Sequence, residues 1–259
     1  MSAILETRGL TRTFGAVVAA MDLNVRIDQG EVVGVIGSNG AGKTTFINMV
    51  TGYLPPSSGD ILFDGRSVLG RAPRDITRLG MARSFQVAQL FPQLTVLENA
   101  LVALVAAEGP RPSFFRPLNT RQRRDRADAI FAEFGIGRYR DALVSTVPQG
   151  ARKLVDIAMA LVSRPRMLLL DEPTSGVSSE EKFALMDTVM AVVRLHGVTV
   201  LFVEHDMEIV ARYVTRLMAF YSGEIIADGP PKSVLGDARV QELVVGHHLD
   251  ISAVLGAAA

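Results

Sequence analysis

Residues 31–45 read Glu31-Val32-Val33-Gly34-Val35-Ile36-Gly37-Ser38-Asn39-Gly40-Ala41-Gly42-Lys43-Thr44-Thr45. The stretch Glu31 to Ile36 is a short β-branched run, the pattern of a strand buried on both faces. From Gly37 to Thr44 the chain matches G-x-x-x-x-G-K-[ST]. The glycines let backbone N–H groups converge on phosphate oxygens, and a helix opening at Lys43 adds positive potential at its N-terminus. Lys43 is expected to reach the β- and γ-phosphates, and Thr44 to offer its hydroxyl to Mg2+. Gly37, Ser38, Asn39, Gly40, Ala41, Gly42 and Thr45 complete the expected nucleotide cradle. A chance Gly-rich turn is the competing reading. The strand before the motif and the helix after it, both required by the mechanism, weigh against that reading.

A second stretch supplies the acidic partner such a loop needs. Met167-Leu168-Leu169-Leu170-Asp171-Glu172 reads as an apolar strand ending in two carboxylates. Asp171 is expected to hold Mg2+, directly or through water, and Glu172 to polarise the attacking water as general base. A strand followed by a solvated Asp-Glu pair is common by itself, and it gains meaning only beside Lys43-Thr44.

Around these motifs the pattern alternates. Short strands are expected over Ile4–Arg12 and, in a pattern running past Asp22 and Asn24, over Val17–Ile27. A helix is expected from Lys43 to about Gly52, a loop over Pro55–Gly59, and a strand at Ile61–Phe63 turning at Asp64-Gly65. Thr95 to Ala107 reads as a helix opened by a capping box, Thr95 with Glu98. Further helices are expected over Thr120–Phe134 and Pro148–Ser163, with a Pro-rich connection over Glu108–Asn119 between the first two of these three. After Leu170 the order is helix Ser179–Leu195, strand Val198–Val203, helix Met207–Tyr213 and strand Arg216–Tyr221. Such alternation predicts an α/β fold with a mainly parallel sheet. Residues 87–163 read as purely helical, hence as a helical subdomain inserted between two halves of the core.

Composition bounds the function classes. Lys plus Arg and Asp plus Glu number 27 each among 259 residues, so no basic excess suggests nucleic acid as a partner. There is no cysteine, which excludes a disulfide scaffold, a cysteine zinc cluster and thiol catalysis. The longest uninterrupted apolar run, Ala100 to Ala107, falls far short of the about 20 residues a membrane-spanning helix needs. Met1 to Leu10 has no basic start followed by an apolar stretch, so a cytoplasmic protein is expected. Arg111 to Arg126 carries six Arg and one acid, Asp125. It is expected either near lipid headgroups or membrane subunits, or as a solvated helix face.

With Gln86 in Ser84-Phe85-Gln86 and His205 in Val203-Glu204-His205-Asp206, these motifs resemble, in order and spacing, the ATP-binding cassette of ABC transporters, from about Leu5 to Gly246. The resemblance implies a P-loop NTPase cassette of one domain over 1–246: a mainly parallel-sheet core, an antiparallel β subdomain, an inserted helical subdomain at about 87–163, and a tail over 247–259. It implies ATP and Mg2+ as ligands. Gln86 then contacts Mg2+ and water, and His205 contacts the γ-phosphate. Phe14 stands where the family places an aromatic against adenine, although it also reads as a core residue. A finer resemblance, to the ATPase subunits of branched-chain amino-acid importers, is carried by Leu90-Phe91-Pro92-Gln93-Leu94-Thr95-Val96-Leu97-Glu98-Asn99, by Phe114-Phe115-Arg116-Pro117-Leu118 and by Arg239-Val240-Gln241-Glu242 to Gly246. It implies transmembrane permease subunits, a second ATPase subunit and, indirectly, a periplasmic substrate-binding protein, with the chain peripheral on the inner face of the plasma membrane. An export ATPase, for example for lipopolysaccharide, would carry the same machinery. A soluble ABC factor is disfavoured by the single cassette and the lack of a heptad run.

The family signature Leu-Ser-Gly-Gly-Gln is altered here to Val147-Pro148-Gln149-Gly150-Ala151, and Ser178 stands where the family often has Asp. Pro148 has neither hydroxyl nor N–H to offer a phosphate. Because the signature serves the partner cassette's nucleotide, a heterodimer with an intact partner is favoured over a homodimer.

Overall fold

Val32–Gly37, the run before the phosphate-loop motif, is a strand buried along its whole length. The computed structural model describes residues 2–84, 90–108 and 117–246. In chain order its strands are β1 (Ala3–Phe14), β2 (Val17–Leu23), β3 (Arg26–Asp28), β4 (Val32–Gly37), β5 (Ser58–Phe63), β6 (Arg66–Ser67), β7 (Met81–Ser84), β8 (Met167–Asp171), β9 (Thr199–Val203), β10 (Arg216–Tyr221) and β11 (Glu224–Gly229). The helices that matter below are α1 (Lys43–Val50), α2 (Pro73–Leu79), α3 (Val96–Glu108), α4 (Arg121–Glu133), α5 (Gln149–Leu161), α6 (Lys182–His196), α7 (Met207–Tyr213) and α8 (Pro231–Leu235). The chain divides into two compact units, Met1–Ile76 with Thr199–Ala259, and Thr77–Val198.

The first unit holds an antiparallel sheet, β2-β1-β5-β6, with β3 also paired to β1. It also holds β11-β10-β4-β9, in which β10, β4 and β9 run parallel and β11 is antiparallel at the edge. β9 is buried throughout like β4, which explains why both read as continuous apolar runs without alternation. α1 packs on β10 through the tilted rings of Phe46 and Phe220, 5.6 Å apart. The Asp64-Gly65 and Ser222-Gly223 turns both have positive φ at their two central residues, as tight hairpins of the type I′ family require.

In the second unit β7 and β8 are parallel, and among the described residues of 87–163 the regular elements are all helical. α3 starts on the expected capping box: the Thr95 N–H donates to Glu98 Oε2 at 2.7 Å, and the Glu98 N–H donates to Thr95 Oγ1 at 3.1 Å. Buried Asn99 clamps the segment before the helix, accepting from the Phe91 N–H at 2.9 Å and donating to the Thr95 carbonyl at 2.9 Å. Thr120 caps α4 by accepting from the Arg123 N–H.

Some boundaries differ from the sequence reading. The strand pattern over 17–27 breaks into β2 and β3, because Asp22 takes φ 48 and the Asn24 amide turns back to the Asp22 carbonyl. β5 begins at Ser58, inside the expected loop, by pairing with Thr11. α6 begins at Lys182 rather than Ser179, since Ser178–Glu181 forms a turn in which the Ser178 hydroxyl donates to Glu181 at 3.0 Å. Neither α2, β7 nor β11 is apparent from the sequence pattern.

Candidate nucleotide site

In the first unit the phosphate loop leaves the carboxyl end of β4 and enters α1. Its middle, Ser38-Asn39-Gly40, is exposed, whereas Ala41, Gly42 and Lys43 are buried. Lys43 Nζ donates to the carbonyls of Gly37 at 2.6 Å and Ser38 at 3.0 Å. The ammonium therefore sits inside the loop, at its own backbone, where it draws the turn into a ring. Two backbone ties fix the loop from outside: the Gly223 N–H donates to the Ala41 carbonyl at 3.0 Å, and the Met21 N–H donates to the Gly223 carbonyl at 2.8 Å. Gly42 precedes α1 at φ 102, ψ −3, and a Cβ there would fall 2.5 Å from the Ala19 carbonyl oxygen. Only glycine allows this approach.

Thr44 and Thr45 lie in the first turn of α1, Thr44 exposed and Thr45 half-buried. His205 follows β9, with its side chain exposed. β4 and β9 are adjacent parallel strands in the register Val35↔Val203. The phosphate loop and His205 thus both emerge at the carboxyl ends of neighbouring strands, where open α/β sheets place ligands. Asp206 caps α7 just beyond, accepting from the N–H groups of Glu208 and Ile209. Phe14 ends β1 opposite Val17 and is 47% exposed, so it is not a core residue. The Arg12 guanidinium lies over its ring at 4.5 Å, a cation–π contact.

In the second unit Asp171 ends β8, and Glu172 follows at φ 48, a left-handed conformation uncommon for a residue other than Gly, Asn or Asp. Asp171 Oδ2 accepts from Arg83 Nη2 at 2.7 Å. Arg83 is the site residue that sequence reading missed; it lies in a short strand with no apolar signal, 88 positions from its partner. Gln86 and Phe114–Arg116 lie outside the described residues. The altered signature opens α5: Pro148 is its N-cap, at φ −55 and ψ 150, without a side-chain cap. Beside it, Glu181 Oε2 lies 3.7 Å from where a Cβ on Gly150 would stand.

The donors fit ATP and Mg2+. The loop supplies amides, an ammonium and a left-handed glycine at a helix N-terminus. Among the described residues no group of three or more His, Cys, Asp or Glu could form a metal cage. Mg2+ bound to a nucleotide is held instead by a hydroxyl, one or two carboxylates, waters and phosphates. Thr44 and Asp171 are of those types.

These features define a nucleotide-binding cassette, and the chain belongs to the ABC transporter family, whose profile matches residues 20–175. It binds ATP and is an ABC ATPase that hydrolyses it. Among curated proteins it is 33% identical to the high-affinity branched-chain amino acid transport ATP-binding protein BraF of Pseudomonas aeruginosa, over 94% of this chain and 98% of that one. The solved ADP conformation of MJ1267, an ATP-binding cassette of an ABC transporter, aligns with a TM-score of 0.81 and 30% identity, over 93% of this chain and 97% of that one. A dimeric, post-hydrolysis state of the cassette MJ0796 bound to ADP and phosphate aligns with a TM-score of 0.74 and 25% identity, over 88% and 98%. No helix among the described residues is long and apolar enough to cross a membrane.

Proposed function

We propose that this ATPase powers an importer of branched-chain or related hydrophobic amino acids. The observation that carries the cargo class is the near full-length similarity to BraF. In this reading the chain lies on the inner face of the plasma membrane, docked on transmembrane permease subunits that a periplasmic binding protein supplies.

The chemistry is in-line attack of water on the γ-phosphate. Lys43 and the loop amides hold the β- and γ-phosphates, and the exposed ring of Phe14 receives adenine. Thr44, Asp171 and Gln86 are the residues that would hold Mg2+, whose charge would offset that of the phosphates. Glu172 takes the proton of the attacking water, while His205 and Gln86 position that water and the γ-phosphate. Its left-handed backbone supports this role for Glu172, since strain of this kind clusters at working sites.

The working ATPase pair is a heterodimer. Pro148 would withhold two donors from a nucleotide facing α5, so a partner with an intact signature would leave one strong site, the one whose nucleotide Lys43 holds. The reading is tested by reconstituting the chain with its permease subunits and binding protein in vesicles. ATP-dependent leucine uptake is expected. Stimulation by a different cargo class alone, with no response to leucine, isoleucine or valine, would overturn the cargo assignment.

A further inference from the structure

β7 is the strand that delivers the chain to Gln86, and its last two side chains leave on opposite faces. In the parallel register with β8, Arg83 stands opposite Leu169 and Ser84 opposite Leu170. Side chains alternate along a strand, so Asp171, two residues past Leu169, shares the face of Arg83. There Arg83 Nη2 donates to Asp171 Oδ2 at 2.7 Å, with the two side chains only 8% and 13% exposed. On the other face the Ser84 hydroxyl donates to Asp156 Oδ2 at 2.6 Å, and both residues are buried. Asp156 belongs to α5, so this second bond pins β7 to the helix that the signature opens.

We propose that Arg83 is a positioning residue for Asp171. It holds Oδ2 and thereby fixes the carboxylate so that Oδ1 serves Mg2+ or its water. This rests on the reading of Asp171 as a metal ligand. A carboxylate with both torsions free loses that freedom when it takes up a cation, and one already tethered has less to lose. Guanidinium suits the task because it stays charged at any working pH and its planar array of N–H donors holds an oxygen in a set direction. Ser84–Asp156 contributes by stopping β7 from sliding, since a shift along the strand would carry the guanidinium off Oδ2. A plain structural ion pair is the alternative. It would tie β7 to β8 and change stability without touching the response to metal.

The test is carried out on the full chain with a fluorescent ATP analogue, titrated in EDTA and then across Mg2+ concentrations. The variants are Arg83→Gln, Arg83→Lys and Asp171→Asn. In Arg83→Gln the affinity in EDTA stays native, while half-saturating Mg2+ rises about tenfold or more, the usual cost of losing a residue that orients a metal ligand. Arg83→Lys falls between the two, because a point charge restores attraction without the fork. In the assembled transporter the loss of turnover at low Mg2+ recovers in excess Mg2+. A native Mg2+ curve for Arg83→Gln would overturn the proposal, as would an equal loss of affinity in EDTA. Should Arg83→Gln fail to fold, Arg83→Lys decides, and a native Mg2+ curve there overturns the proposal. Asp171→Asn separates the two readings. If it leaves the Mg2+ curve unmoved, Asp171 is not a metal ligand; if it moves the curve and the Arg83 variants do not, positioning alone is wrong.

Discussion

Replacing Gly42 by alanine is expected to damage the phosphate loop through the backbone rather than through lost chemistry. Gly42 sits at φ 102, and an added Cβ falls 2.5 Å from the Ala19 carbonyl oxygen and 3.3 Å from the Gly223 Cα. Both neighbours are main-chain atoms. Ala19 lies in β2 between two residues paired to β1, Val18 and Ala20, and Gly223 is bonded to Ala41 and Met21. Neither can swing aside as a side chain would. The left-handed conformation costs an L-residue about 1–2 kcal/mol, and forcing extra volume into a packed site adds about 1–3 kcal/mol. A loss of about 2–5 kcal/mol follows, or a melting midpoint lower by roughly 4–20 °C for a chain of this size. Gly40→Ala is the control. Gly40 has φ 79 but nothing within 4 Å of its Cβ position, so it carries the conformational cost alone. Its midpoint is expected to fall by roughly 2–8 °C at most. Thermal melts of both variants without nucleotide, followed by ATP titration calorimetry, measure the difference. Equal midpoints for the two variants would refute the argument from the Ala19 wall.

Other expectations follow from the same site. Glu172→Gln should lower single-turnover hydrolysis in the assembled complex by at least about a hundredfold while ATP binding persists, and turnover like the wild type would remove Glu172 from the mechanism. Lys43→Ala should weaken ATP binding by about 2 kcal/mol, roughly thirtyfold by calorimetry, because a charge-assisted contact is lost. The Glu98 carboxyl lies below the ordinary carboxylate range, held there by the backbone N–H and then the hydroxyl of Thr95. Its contribution to stability is present above the unfolded value and disappears as pH falls through the lowered folded one. Thr95→Ala removes the hydroxyl but keeps the backbone N–H, so it should return the carboxyl only part of the way toward the ordinary range, read by NMR titration; an unmoved titration would remove the hydroxyl from the account. Finally, in the proposed heterodimer the partner's nucleotide would face Pro148, so Glu172→Gln in this chain should impair transport more than the matching change in the partner subunit. Equal losses in reconstituted vesicles would argue against asymmetry.

What the sequence revealed depended on how local the cause was. β4, β8 and β9 announced themselves because burial on both faces leaves no room for polar residues. α7 and β10 fell where periodicity placed them, as did the Asp64-Gly65 turn, whose residue types tolerate positive φ. β7 escaped because two of its residues, Arg83 and Ser84, are polar, and their partners Asp171 and Asp156 lie far along the chain. No spacing rule connects such residues. The split between β2 and β3 was missed for a related reason, since the apolar pattern runs on while Asp22 and Asn24 redirect the backbone through their own side chains. At the site, the phosphate loop and the two carboxylates were legible as motifs. That Lys43 bonds its own loop, and that Phe14 is exposed beneath Arg12, required coordinates.

The ties from Gly223 to Ala41 and Met21 also bear on how the chain is made. The phosphate loop is complete in sequence at Lys43, but its supports come 180 residues later, at Gly223 (223 − 43). β4 likewise waits for both of its neighbours, β9 and β10. At about 5–20 residues per second, translation leaves the loop without these later supports for roughly 10–35 seconds. During that interval the loop lacks these two ties, so any ATP binding that depends on them cannot yet stabilise the chain by mass action. A chain released early, with the whole glycine motif but short of Ser222, carries the motif without the two ties that hold it from outside. Nucleotide binding that relies on these ties therefore stabilises only chains finished past that hairpin.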